Sequence, residues 1–243
     1  MALYRDEGVV LRTHKLGESD RIVVLMSLGR GKVRAVAKGI RKTKSRFGGR
    51  LEPPTRVSLL LYQGRELDVV NQAETLDHYR PVRDDLERMT DSMALLEVVD
   101  QVAQEGEPNA ALYRMLTGAL RALCDAPERP ALLVGAFYWK LLALEGVAPV
   151  VDGCVRCGQP WPDSDLVAFD PLEGGALCRS HRRGAALEPG ALDLIRRILG
   201  GRLASALAEP PSPVSAAVSD LATAAVEAHL ERRLRTVHLL GHS

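Results

Sequence analysis

Two short motifs carry the residues best suited to chemistry. "GCVRCGQPW" starts at Gly153 and sets Cys154 and Cys157 two residues apart. "FDPLEGGALCRSH" ends at His181 and sets Cys178 and His181 at the same spacing, with twenty residues between the two pairs. Paired donors joined by a loop of this length suit a tetrahedral zinc ribbon or knuckle. Each pair turns tightly enough to aim two ligands at one ion, and Gly158 and Gly174–Gly175 supply permissive backbone for such turns. Three thiolates and an imidazole close the coordination shell and leave no position for water, which points to one structural zinc per chain. A zinc deaminase carries Pro directly before its CxxC, whereas Gly153 stands there in this chain. Cys124 falls in a helical pattern with no partner nearby in sequence and reads as a buried helix cysteine.

A second stretch concentrates charge. "AVAKGIRKTKSRFGG" runs from Ala35 to Gly49 without one Asp or Glu. Between Arg30 and Arg50 there are nine basic residues and no acidic ones, although the whole chain carries a net charge of only +1. Residues 1–60 hold 14 Lys and Arg against 5 Asp and Glu. A basic half on a near-neutral chain calls for a polyanionic partner or for a solvated basic face.

Enzymatic signatures are missing. No GxxxxGK[ST], GxSxG, HExxH or GxGxxG occurs, so P-loop, α/β-hydrolase, zincin and dinucleotide-binding chemistry find no support. "GESD" (17–20) reads as a turn between strands. No catalytic residue is assigned, and the chain is not read as an enzyme.

These motifs need elements to position them. The first 79 residues read as five short strands rich in Val, Leu and Ile, separated by Gly and Pro turns. Five strands in so short a span fit an OB-fold, the small barrel known for binding oligonucleotides. In "KVRAVAKG", Val33, Ala35 and Ala37 share one face, and Lys32, Arg34 and Lys38 the other. In the first strand, Val9, Leu11 and Thr13 alternate with Arg12 and His14. Residues 80–243 read as helices, with the zinc-binding insertion at about 150–185. Pro81 is placed to start a first helix. Asn109 is placed to cap a second, and Leu133–Leu144 forms a third apolar stripe ended by Gly146. Val226, Leu230, Leu234, Val237 and Leu240 form a last stripe, with Glu231 and Arg235 at i,i+4 spacing. "AEPPSPVS" (208–215) reads as a stiff connector. The expected fold class is thus a multidomain β + α chain, an N-terminal OB-fold barrel followed by an all-α domain with a zinc motif.

Apolar residues make up 46% of the chain and charged residues 26%, as in ordinary globular proteins. No apolar run is long enough for a membrane span, and the N-terminus lacks the apolar centre of a secretory signal. The expected location is cytoplasmic, where four cysteines serve metal binding better than disulfides.

The stretch "GVVLRTHKLGESDRIVVLMSLGRGKVRAVAKGIRKTKSRFGGRLEP" resembles the N-terminal domain of the bacterial RecO recombination-mediator family. The GESD turn, the glycine turn before "KVRAVAKG" and "KSRFGG" ahead of a Pro-containing turn carry the likeness. The later CxxC, the "GG" before the second pair and "HLERRLRTVHLL" extend it over nearly the whole chain. Many members have a second CxxC where this chain has Cys178-x-x-His181, a chemically acceptable exchange. The resemblance implies a non-enzymatic DNA repair and recombination mediator that binds single- and double-stranded DNA and anneals complementary strands. With RecR, such a protein helps RecA displace single-stranded DNA-binding protein. It also implies a nucleoid-associated location. On this reading Arg41, Lys42, Lys44 and Arg46 contact the DNA backbone, and Lys32, Arg34, Lys38 and Arg12 line the approach. Phe47 either stacks on a base or plugs the core beneath the loop. The alternatives from other classes are a zinc-dependent nucleic-acid-processing enzyme and a protein adaptor that docks the acidic tail of single-stranded DNA-binding protein.

Overall fold

The computed structural model describes residues 2–43, 45 and 47–236. They form two compact units, one reaching to Ala126 and the other starting at Pro127. The first begins with a barrel of β1 (Leu3–Leu16), β2 (Asp20–Ser27), β3 (Gly31–Ala37), β4 (Arg56–Tyr62) and β5 (Asp68–Asp77). The strand order is β1-β2-β3-β5-β4, closed by β1 against β4. All pairs are antiparallel except β3 with β5, which run parallel through Ala35 and Val36. This is the expected OB-type barrel, and closure leaves its strands without an open edge.

Val10, Val23, Leu25, Val33, Ala35, Ala37, Val57, Leu59, Leu61 and Val70 fill the barrel, with Ile40, Phe47 and Leu51 in the same cluster. The alternation read from β3 holds, because Val33, Ala35 and Ala37 all face this core. In β1 it does not hold. Val10 lies opposite Leu25, Arg12 opposite Val24 and Thr13 opposite Val23, so a bulge at Leu11 shifts the register. A bulge inserts one residue and reverses the alternation beyond it. Val9 and Leu11 are fully buried yet stand outside the barrel cluster.

Three helices belong to the same unit: α1 (Arg80–Arg83), α2 (Leu86–Val102) and α3 (Ala110–Asp125). Pro81 does start a helix, but only one turn of it. Asp85 then takes extended backbone and caps α2 by accepting from the Arg88 N–H. Asn109 caps α3 as expected, accepting from the Leu112 N–H at 2.9 Å. α2 packs against β1. Polar clasps join helices to barrel. Arg56 on β4 donates to the Tyr113 hydroxyl at 3.0 Å and pairs with Glu7 at 3.1 Å. Arg83 donates to the Thr55 hydroxyl at 2.7 Å. Strands give way to helices at Tyr79, but the compact unit continues to Ala126 because these helices are tied to the barrel.

The second unit holds α4 (Leu133–Leu144), β6 (Leu166–Asp170), β7 (Gly175–Cys178), β8 (Ala185–Ala186), α5 (Ala191–Leu199), α6 (Leu203–Leu207) and α7 (Pro213–Leu230). α4 packs against α5 and α7. Trp139 on α4 is fully buried, donates to the Val218 carbonyl at 3.2 Å and meets Phe169 edge-to-face at 5.6 Å. The proline-rich connector ends where Ser212 and Ser215 form a reciprocal cap on α7. The last stripe is shorter than its periodicity predicts. α7 stops at Leu230 because Glu231 takes a left-handed conformation, φ 51°, so Glu231 and Arg235 are not one turn apart on a helix. Val237 and Leu240 lie outside the described residues. No helix among the described residues is long and apolar enough to cross a membrane.

Candidate metal centre and nucleic-acid interface

The second unit brings both paired motifs to one point. Cys154 opens a tight turn in which its N–H donates to the Gln159 carbonyl and the Gly158 N–H donates back to the Cys154 carbonyl at 2.8 Å. Gly158 takes φ +72° there, a conformation any side chain would strain. The Val155 N–H donates to the Ala176 carbonyl at 2.9 Å, which pins this knuckle onto β7. Cys178 ends β7, and a single 3₁₀ turn, Arg179–His181, swings His181 back beside it.

The ligand atoms of Cys154, Cys157, Cys178 and His181 lie within 4.8 Å of one another. Cys178 Sγ is 3.3 Å from His181 Nδ1, Cys154 Sγ is 3.8 Å from it, and Cys157 Sγ is 4.0 Å from Cys178 Sγ. A tetrahedron with metal bonds of about 2.0–2.3 Å has edges of roughly 3.5–3.8 Å, so the four donors fit one tetrahedral metal ion. Ala168 and Leu177 back the site, with Val155 and Leu166 packed against them.

The electrostatics favour the thiolate at Cys154 and Cys178, and the protonated form at Cys157 and His181. Burial pushes the Cys154 thiol up, but backbone N–H groups of Cys157, Cys178 and Arg156 outweigh it and bring the thiol down to about 6. The His181 side chain lowers Cys178, and Cys178 in turn raises His181. The Gln159 backbone lowers Cys157, but burial and the neighbouring sulfurs raise it above the ordinary thiol value. Thiolates are the metal-binding form.

The basic residues of the first unit divide into two groups. Arg12, Lys32 and Arg34 each pair with an acid, although Arg12 and Arg34 stay partly open to solvent, at 43% and 42% exposure. Arg12 Nε pairs with Asp100 Oδ2 at 2.5 Å. Lys32 Nζ lies 3.7 Å from the other Asp100 oxygen and donates to the Asp100 carbonyl at 2.6 Å. Arg34 sits 3.6 Å from Glu105. These partners come from the end of α2 and the loop after it. The Lys32 N–H donates to the Gln104 carbonyl, and Gly31 is irreplaceable there, because a Cβ would stand 2.0 Å from the Glu107 carbonyl.

Lys38, Arg41 and Lys42 form the second group and are exposed. Arg41 donates to the Glu18 carbonyl at 2.9 Å, and its N–H donates to the Ser19 carbonyl. Lys38 and Lys42 make no ion pair among the described residues. Lys44 and Arg46 lie outside the described residues. Phe47 is 1% exposed in the barrel cluster, a position that matches the core plug among its two alternatives.

Asp20 is a positioning residue that sequence reading passed over. It is the last residue of "GESD", and its Oδ1 accepts from the Gly39 N–H at 2.7 Å and from the Ser19 hydroxyl at 2.9 Å. The Gly39 N–H, then Ser19, with Lys38 and Lys42 nearby, hold its carboxyl below the usual range. It ties the start of the basic loop to the β1–β2 turn. The motif was visible in sequence, but the partner nineteen residues away was not. Asp100 had no sequence signal at all.

Fold and site together define an OB-type barrel protein with a Cys3His knuckle that could hold a metal ion in its helical part. The chain belongs to the recombination protein O family: residues 1–79 match its N-terminal domain and residues 83–238 its C-terminal domain. Family membership places the protein in DNA recombination and repair, as a recombination mediator that binds DNA.

Proposed function

We propose that the loop following β3 is the main DNA contact, with Lys38, Arg41, Lys42, Lys44 and Arg46 meeting the phosphate backbone. One observation carries this reading. Lys38 and Lys42 are exposed and make no ion pair among the described residues, whereas Arg12, Lys32 and Arg34 are each paired with Asp100 or Glu105 within the same unit. Backbone contacts tolerate any sequence, which suits the annealing of arbitrary complementary strands. Neutralised strands repel each other less, so the protein needs no catalytic step and acts without enzymatic turnover. It works in the cytoplasm with RecR and single-stranded DNA-binding protein to help load RecA. The metal is Zn²⁺ in a structural role, since four protein donors leave no open position.

The test is oligonucleotide affinity measured across a salt series. A Lys42→Ala, Lys44→Ala, Arg46→Ala triple variant should flatten the slope of log affinity on log salt by about 1 for each lost contact. An unchanged slope removes the loop from the interface. Strong chelation should lower the melting temperature, and adding back one equivalent of zinc should restore it, as expected where metal binding is coupled to folding.

A further inference from the structure

The second unit carries a groove beside the metal knuckle that the DNA reading leaves unused. It lies between the segment Trp161–Val167 and the segment from Leu187 into α5. Trp161 is the notable residue, because its side chain is 54% exposed, and exposed tryptophan is rare outside binding surfaces. One face of the indole is already engaged, with the Arg196 guanidinium 4.5 Å from the ring centroid. Arg196 is itself held by Asp152 at 2.7 Å and by the Val151 carbonyl at 2.5 Å. The backbone N–H of Trp161 donates to the Asp152 carbonyl at 2.8 Å. The indole therefore stands on a fixed support, and its exposed surface needs little ordering to accept a ligand.

The rim states the charge of that ligand. Asp165, Glu188 and Asp193 line the groove, and Arg196, its one cation, is already spent on Asp152. Asp165 has a solvent-exposed arginine partner, Arg179, whereas Asp193 pairs with Arg197, which is mostly buried and also held by Glu209. An exposed pair such as Asp165–Arg179 contributes about 0–1 kcal/mol and exchanges readily. Glu188 has no ion pair among the described residues. An acidic rim around an exposed aromatic repels a phosphate backbone and suits a cation that also stacks, which is the chemistry of arginine.

We propose that this groove docks an arginine-bearing segment of a partner protein, with one guanidinium over the exposed part of Trp161 and a second against Glu188. The site is independent of the loop proposed to bind DNA.

Intrinsic fluorescence of the full chain tests this directly. The chain has two tryptophans and Trp139 is fully buried, so a ligand-induced emission change reports Trp161. The probe is the peptide acetyl-Pro-Arg-Leu-Arg-Pro-amide, compared with its Glu-for-Arg counterpart and with a dT oligonucleotide. Saturable quenching by the arginine peptide alone, weakened by salt, is expected. Glu188→Gln should weaken it several-fold. With a dye-labelled peptide read by anisotropy, Trp161→Ala should weaken it about tenfold at unchanged melting temperature. Equal binding of the glutamate peptide, or no saturable change, overturns the proposal. A change produced by the oligonucleotide instead makes Trp161 a base-stacking platform and also overturns it. A change that follows protein concentration without any peptide assigns the groove to a second copy of this chain, with the same result.

Discussion

Phe47 shows how one residue separates two readings of the same loop. Its ring is buried with Ile40 and Leu51 among the barrel residues, directly between the basic loop and the core. Phe47→Ala should therefore cost about 3–5 kcal/mol of stability, as large-to-small core changes do, measured by urea unfolding. The salt slope of DNA binding should stay as it is. A base-stacking role predicts the reverse, weaker affinity on an equally stable protein. Lys32 marks the opposite situation, a cation whose position on the surface strand advertised DNA. Its side chain is 16% exposed against Asp100 at 9%. Lys32→Met leaves the Asp100 carboxylate with Arg12 alone. This variant should lose about 1–3 kcal/mol, the cost of an under-paired buried group, without flattening the salt slope.

At the scale of elements, the β6–β7 hairpin leads into Cys178 and His181 of the candidate metal centre and is held by charge. Asp170 at its turn is 5% exposed. It accepts from the Arg183 guanidinium and from the Leu172 and Glu173 N–H groups. Burial pushes its carboxyl up, but Arg183 and the two backbone donors outweigh burial, and the net shift is downward. A folded-state value below the unfolded one makes ionised Asp170 stabilising above the ordinary aspartate range near 3.9. That contribution disappears as pH falls through the depressed value. Wild-type protein should lose stability between about pH 5 and the acid limit, and Asp170→Asn should show a lower, flatter profile over the same window. Thermal melts of the zinc-loaded protein at a series of pH values measure it. A variant profile parallel to wild type would remove Asp170 as the cause.

At the scale of the whole molecule, the division at Ala126 and Pro127 predicts where the chain can be cut. A fragment ending at Ala126 keeps α2 against β1 and the Arg56–Tyr113 and Arg83–Thr55 clasps. It should unfold cooperatively in urea. A fragment ending at Tyr79 leaves Val9 and Leu11, both buried in the intact unit, without α2 over β1. It should bind a hydrophobic dye and aggregate. Equal solubility and cooperativity of the two fragments would show that the barrel stands without its helices.

The barrel, most of the helices and the four-donor set are legible in the sequence alone, because each is written in local terms. Strand alternation, caps such as Asn109 and two-residue ligand spacing all act within a few residues, where chain connectivity already brings the groups together. Tertiary structure decided what long-range contacts govern. The bulge at Leu11 reversed the faces of β1. Phe47 went inward. Arg12, Lys32 and Arg34 met Asp100 and Glu105 from 68 to 88 residues away in sequence, so three of the eight candidate cations pair with acids of their own unit. Charge counted along a chain says how many cations there are. Only the fold says which of them still need a partner.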